Sequence, residues 1–286
     1  MTDRPDLPGV LGSTKPYFDD GDVAIYHADI RDVASNPTAA AVVSSPPYNV
    51  GIPYDGADDN LPWGEYWDLA RAACHVMAGA LTTTGRCWLN VAPVVQEQPG
   101  GAGRNGGPHS GRSRKDRESL IAGWSTELEL VGLKPCDVVA WTSQRGSGTA
   151  WGSWQTPSAP NIRGDWEAVL VHYKDTWPRT APAGMEKYRD TDGDWPALVS
   201  NVWNIRPDFD RDGHPAPFPV ELAARAIRLS TWPGETVFDP FCGSGSALVA
   251  AKQLGRRAVG VERSERYCEL AARRLAQGVL DFGMVS

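Results

Sequence analysis

Long hydrophobic runs are missing from this chain of 286 residues; none approaches the roughly 18 apolar residues that cross a bilayer. No secretory leader is expected either. The first residues set Asp3, Asp6, Asp19, Asp20 and Asp22 among prolines, without an apolar segment ahead of a small-residue cleavage site, so a cytoplasmic protein is expected. Cysteine is scarce. Cys74, Cys87, Cys136, Cys242 and Cys268 are odd in number, widely spaced and form no C-x-x-C pair, which speaks against a disulfide frame or zinc site and suits buried reduced thiols. The five histidines are equally scattered, and no metal is expected. Basic charge is in deficit, the net charge being -7, which weighs weakly against nucleic acid because phosphate contacts need Lys and Arg. Distribution qualifies the sum. Arg104, Arg112, Arg114, Lys115 and Arg117 fall close together with Asp116 as the one acid among them, a run that suits either a solvated loop or a phosphate contact.

What is present is an alternation of strand and helix patterns. Hydrophobic residues make up 41% of the chain, enough for the core of one large α/β domain. Short β-branched runs predict strands over Val23 to Tyr26, Ala40 to Ser44, Arg86 to Val91, Asp137 to Trp141, Ala168 to Tyr173, Thr236 to Phe238 and Ala258 to Val261. Helices are predicted over Trp63 to Leu81, Lys115 to Val131, Pro219 to Ser230, Ser246 to Leu254 and Ser264 to Gln277. In the first, Tyr66, Leu69, Ala70, Ala73, Met77 and Leu81 form one apolar stripe. Pro219 suits a first turn, and Gly255 and Gly278 sit where C-terminal caps belong. This alternation predicts a doubly wound, mostly parallel sheet. Three stretches break the rhythm: Gly-rich Gln96 to Ser113, Thr142 to Pro160, and Asp175 to Ala216 with its prolines and aromatics. Long irregular segments in a compact domain are usually disordered or functional.

The run from Thr236 to Ser246 passes from strand through a Gly-x-Gly turn, Gly243-Ser244-Gly245, into a helix. Glycines there let the backbone approach a ligand, and amides at a helix start favour a polar or negative group. The next strand ends in Glu262, placed to accept bonds from a ribose diol. A Gly-x-Gly turn alone also occurs for packing; the whole strand–turn–helix–strand–acid unit points to a nucleotide-like cofactor. A nicotinamide site usually carries a third glycine three residues on, where this chain has Leu248. The form Asp239-Pro240-Phe241-x-Gly243-Ser244-Gly245 resembles instead the cofactor motif of amino-methyltransferases, which bind S-adenosyl-L-methionine. So little chain follows Gly245 that the rest of the sheet must come from upstream.

Upstream, Ser45-Pro46-Pro47-Tyr48 follows an apolar strand. Two prolines cannot continue a ladder and hold the backbone extended. Alone, this is a rigid strand exit or a fixed carbonyl and hydroxyl at the sheet edge where α/β enzymes place ligands. Together with His27-Ala28-Asp29, Phe218-Pro219 heading a helix, Asp239 to Gly245 and Glu262, it resembles the β class of DNA amino-methyltransferases over nearly the whole chain. In that circularly permuted group the catalytic motif precedes the cofactor motif. The resemblance implies a Rossmann-like class I methyltransferase in three parts. These are a catalytic half over 1–174 with the basic Gly-rich loop, a small target-recognition insert over 175–216, and a cofactor half over 217–286 completing the same sheet.

It also implies roles. The target base is flipped out of double-stranded DNA. Ser45 and the Pro46 carbonyl would hold its exocyclic amine, Pro47 would stiffen the corner, and Tyr48 would stack on the ring. Asp29 would face the cofactor's adenine, or serve as a plain turn acid. Phe218 and Pro219 would cover the methionine end, Pro219 having a first-turn proline as its alternative. Asp239 would lie beside the amino-acid portion, with Pro240, Phe241, Gly243 and Gly245 forming the turn and Glu262 holding the ribose. No covalent intermediate is implied, and Cys242 is expected to pack. Ser at the motif's first position favours cytosine N4 over adenine N6. In this setting Arg104, Arg112, Arg114, Lys115 and Arg117 become candidate phosphate contacts, with Arg145 and Arg163 beside them. A homodimer and a restriction endonuclease partner stay open, as do an RNA or protein-glutamine methyltransferase and a non-catalytic DNA-binding module.

Overall fold

The computed structural model describes residues 15–33, 38–52, 59–96, 117–142, 155–158, 160, 164–191, 193–207 and 218–277. In chain order the elements are β1 (Phe18–Asp19), β2 (Val23–His27), β3 (Ala39–Ser44), α1 (Trp63–Ala80), β4 (Leu81–Val91), β5 (Val95–Gln96), β6 (Arg117–Glu118), α2 (Leu120–Leu130), β7 (Lys134–Thr142), β8 (Trp166–Tyr173), α3 (Trp195–Leu198), β9 (Val202–Asn204), α4 (Val220–Arg228), β10 (Thr236–Asp239), α5 (Ser246–Gln253), β11 (Arg257–Glu262) and α6 (Glu265–Ala276). Nine strands make one sheet in the order β1-β2-β11-β10-β3-β4-β8-β7-β9. From β2 to β4 the neighbours are parallel. β8 runs antiparallel to both β4 and β7, and β9 returns parallel to β7.

Helices cover both faces. α1 and α2 bury Tyr66, Met77, Trp124 and Leu128 on one side; α4, α5 and α6 bury Leu222, Ile227, Leu248 and Leu275 on the other. That is why β3, Ala-Ala-Ala-Val-Val-Ser, is buried at every position and reads as a continuous small-apolar run, not an alternating one. The C-terminal strands β10 and β11 lie between β2 and β3, so both ends of the chain build the middle of the sheet.

The predicted strands and helices are all present, with three differences. β4 begins at Leu81, directly after α1, because the β-branched Thr82, Thr83 and Thr84 continue it; the β3–β4 register slips there between Ala39 and Ala41. α2 begins at Leu120 rather than Lys115: Ser119 caps it by accepting from the Ala122 amide, and Arg117 and Glu118 pair with Gln96 and Val95 instead. Gly278 lies outside the described residues, whereas Gly255 adopts the left-handed conformation (φ 67°) expected of a cap.

The third difference is Asp175 to Ala216, expected to be an irregular recognition insert. Its first part packs at the N-terminal edge of the sheet, away from the Ser-Pro-Pro-Tyr corner. The Trp177 carbonyl accepts from Arg86, Arg179 pairs with Glu235 at 2.6 Å, and Asp190 pairs with Arg228 at the end of α4. Its later part forms α3 and β9, whose Trp203 is fully buried and stacks on Trp88 at 5.9 Å between ring centroids. These residues complete the domain; the stretch returns to the opposite edge only after Asn204, and 208–217 lie outside the described residues.

Candidate active site

β3, β10 and β11 end side by side, and the segments that follow them line one cleft of about 280 Å³. It brings together Asp29, Ser45, Pro46, Pro47, Tyr48, Phe218, Pro240, Phe241, Gly243 and Glu262. Three expected site residues stand outside its wall: Asp239 is fully buried behind it, Pro219 is the residue before α4, and Gly245 packs under α6. A Cβ on Gly245 would sit 3.0 Å from that of Ala271, and its φ is 83°. Glycine at that position therefore serves the helix entry and its packing.

The Ser-Pro-Pro-Tyr corner is held by its neighbours. The Pro47 carbonyl accepts from the Tyr66 hydroxyl at 2.9 Å, and that hydroxyl accepts from the Trp124 indole at 2.9 Å. No described residue donates to the Pro46 carbonyl. Beyond the corner the chain turns at Asn49 (φ 57°), whose amide side chain bridges to both backbone groups of Leu61. Asp59, also buried, accepts from the backbone amides of Asn49, Val50 and Ile52. Asp59→Ala removes three charge-assisted bonds and leaves their donors inside, and is expected to cost about 2–4 kcal/mol of stability in denaturant unfolding. A loss under about 1 kcal/mol would mean that the Asn49–Leu61 bridge alone holds the turn.

At one end of the cleft four polar side chains meet. The Tyr48 hydroxyl donates to Glu167 Oε2 at 2.8 Å and accepts from Asn90 Nδ2 at 2.7 Å. Asn90 Nδ2 also donates to the same Glu167 oxygen at 2.8 Å. Ser45 Oγ lies 3.3 Å from the Tyr48 hydroxyl and 3.4 Å from the Asn90 carbonyl. Asn90 and Glu167 belong to neither motif: each is a polar residue within a strand, and only the β4–β8 pairing brings them together.

At the other end, Asp239 Oδ1 accepts from Ser44 Oγ at 2.6 Å and from the Phe241 amide at 3.1 Å, while Oδ2 is buried with no donor among the described residues. Burial raises the Asp239 carboxyl to about 7, with the Ser44 and Phe241 bonds pulling the other way. Glu262 is raised as well, chiefly by desolvation; its oxygens accept from the amides of Gly243 at 2.9 Å and Ser264 at 2.8 Å. These bonds fix the Gly turn to the end of β11 and leave lone pairs toward the cleft. Asp29 is committed to Arg31: it caps a short 3₁₀ turn and grips the guanidinium with both oxygens, which lowers its pKa. Asp29 thus caps a turn and at the same time borders the cleft. Burial pushes the Cys242 thiol well above its ordinary range, so it offers no thiolate. A Cβ on Gly260 would meet its sulfur at 2.8 Å, consistent with packing.

Among the described residues no group of His, Cys, Asp and Glu has a metal-holding arrangement. No helix among them is long and apolar enough to cross a membrane. Arg117 is exposed on β6. Arg104, Arg112, Arg114, Lys115, Arg145 and Arg163 lie outside the described residues.

A family described as DNA methylase matches residues 39–273. The Type II methyltransferase M.ScaI of Streptomyces caespitosus is 27% identical over 94% of this chain and 86% of its own length. TTHA0409 of Thermus thermophilus, solved in complex with S-adenosyl-L-methionine, superposes with a TM-score of 0.66 at 28% identity, covering 90% of this chain and 95% of that one. The PvuII DNA methyltransferase, a cytosine-N4-specific enzyme, shares the fold with a TM-score of 0.64 at 20% identity, over 91% of this chain and 88% of its own.

Proposed function

The chain belongs to the DNA methylase family, and from that premise we propose a circularly permuted enzyme of the Ser-Pro-Pro-Tyr type that methylates cytosine N4. It is a DNA amino-methyltransferase using S-adenosyl-L-methionine. The observation that carries the reading is the shared cleft. A corner from the N-terminal part and a Gly turn from the C-terminal part line it from two sides, one rich in hydrogen-bond acceptors and aromatic surface, the other carrying Glu262 with the Asp239 carboxyl buried behind it.

The second side suits the cofactor. A buried carboxylate oxygen without a donor, on Asp239, fits an ammonium group, and Glu262 has acceptor capacity left for hydroxyls. Phe218, Pro240 and Phe241 supply apolar wall, and Gly243 the close backbone approach. When bound, the cofactor supplies an electrophilic methyl group on a sulfonium. On the first side the Pro46 carbonyl and Ser45 Oγ hold the amine by its protons, and Tyr48 stacks on the base. Positioning removes several kcal/mol of entropic cost, and fixed acceptors stabilise charge growing on nitrogen. No protein nucleophile takes part.

Ser45 is the ground for choosing cytosine, since a neutral hydroxyl stands first in the motif. Phosphate contacts fall to Arg104, Arg112, Arg114, Lys115 and Arg117, the basic run of an otherwise acidic chain. Mass spectrometry of nucleosides from DNA treated with the enzyme separates the readings. N4-methylcytosine is expected; N6-methyladenine would move the substrate to adenine and leave the cleft's chemistry in place.

A further inference from the structure

Serine at the head of the motif leaves the reacting amine without a carboxylate from that position, yet the Tyr48 hydroxyl beside it is bonded to one. Glu167 sits on β8, an antiparallel strand outside both motifs, and reaches the corner because β8 pairs with β4 at Asn90 and Val169. It is half-buried, lines the cleft and forms no ion pair with any described Lys or Arg. Its Oε2 takes the Tyr48 hydroxyl proton and the Asn90 amide, while Oε1 has no partner among the described residues. A carboxylate that gives up part of its hydration without a cation, beside a reactive corner, is costly to keep for packing alone.

We infer that Glu167 is the terminal proton acceptor and positioning residue of the transfer, coupled to Ser45 through the Tyr48 hydroxyl. The inference rests on the amino-methyltransferase reading. As the base nitrogen bonds to the methyl carbon, the carbon–sulfur bond breaks with its electron pair on sulfur, and the nitrogen is left with one proton to lose. Ser45 Oγ accepts that proton as its own passes to Tyr48, whose hydroxyl proton passes to Glu167 across 2.8 Å. The glutamic acid later returns the proton to solvent. The hydroxyls end unchanged, one proton has moved from amine to carboxylate, and no other reactant is needed. The same contact fixes the Tyr48 ring in its stacking orientation.

Glu167→Gln tests this, because its amide oxygen still accepts from Tyr48 and Asn90 while the proton acceptor is gone. Single-turnover transfer should fall on the order of 10²-fold. Affinity for duplex DNA by anisotropy and for S-adenosyl-L-methionine by calorimetry should stay within about threefold, a loss in kcat and not in KM. Glu167→Asp should recover about a tenth or more of the wild-type rate. A Gln variant with wild-type rate would overturn the inference while leaving the amino-methyltransferase reading intact. A wild-type protein that transfers nothing would overturn both.

Discussion

Tyr48→Ala is expected to slow methyl transfer by about two to three orders of magnitude while S-adenosyl-L-methionine binding stays within about threefold. Two losses combine. Stacking of a flipped base on an aromatic ring is worth roughly 1–3 kcal/mol. The hydroxyl also joins Ser45, Asn90 and Glu167, so its removal leaves Asn90 Nδ2 and Glu167 Oε2 with one partner fewer at the point where the amine must sit. Tyr48→Phe separates the two, since it keeps the ring and loses the hydroxyl; its rate should fall between the alanine variant and the wild type. Calorimetry for the cofactor alongside single-turnover transfer makes the comparison. Equal loss of binding and rate in the alanine variant would mean that Tyr48 supports the cleft as a whole and not the base.

Asp239→Asn is expected to have the second large effect, with opposite signs for binding and for folding. Its carboxyl titrates at about 7 in the fold against 3.8 when unperturbed, so the free protein resists ionising it. The stability associated with the neutral acid is fully present below about 4 and is lost as pH rises through about 7. An asparagine has no such loss. Its stability relative to wild type should therefore rise between pH 5 and 8, by up to a few kcal/mol, whatever constant offset the buried amide introduces. A cationic cofactor favours the ionised form, so wild-type affinity should weaken as pH falls through about 7, whereas the variant should bind on the order of 100-fold more weakly without that trend. Denaturant unfolding at both pH values, with calorimetry, checks each half. Parallel stability curves for the two proteins would show that Asp239 is not held neutral.

Both motifs could be read before the structure because each is local. Two consecutive prolines after an apolar run, and a Gly-x-Gly between strand and helix, constrain the backbone wherever the rest of the chain lies. Tyr48 and Glu262 follow from position within those runs. Glu167 and Asn90 could not be found in the same way. Trp166 to Tyr173 reads as a strand, but nothing in it says that its neighbour is β4 or that residue 167 faces the cleft. Asp59 was hidden similarly, since its function is to collect amides from residues 49, 50 and 52 across a turn. The described part of the Asp175 to Ala216 stretch was hard to place for a related reason. Its aromatics and prolines suggest an appended recognition surface, yet Trp203 fills the core and Arg179 and Asp190 tie the chain to α4 and the loop before β10 through long-range pairs. Periodicity fails in such a segment because tertiary contacts, not a repeating face, hold it.

In the proposed enzyme one cleft joins a base-holding corner to a methyl donor. Incubating the purified full chain with methyl-labelled S-adenosyl-L-methionine and double-stranded DNA of mixed sequence, then digesting the DNA to nucleosides, tests it most directly. Label should appear in the DNA on an exocyclic nitrogen. Cofactor and DNA binding without any label transferred, across varied sequences, would contradict it and make the protein a binding module with a methyltransferase fold.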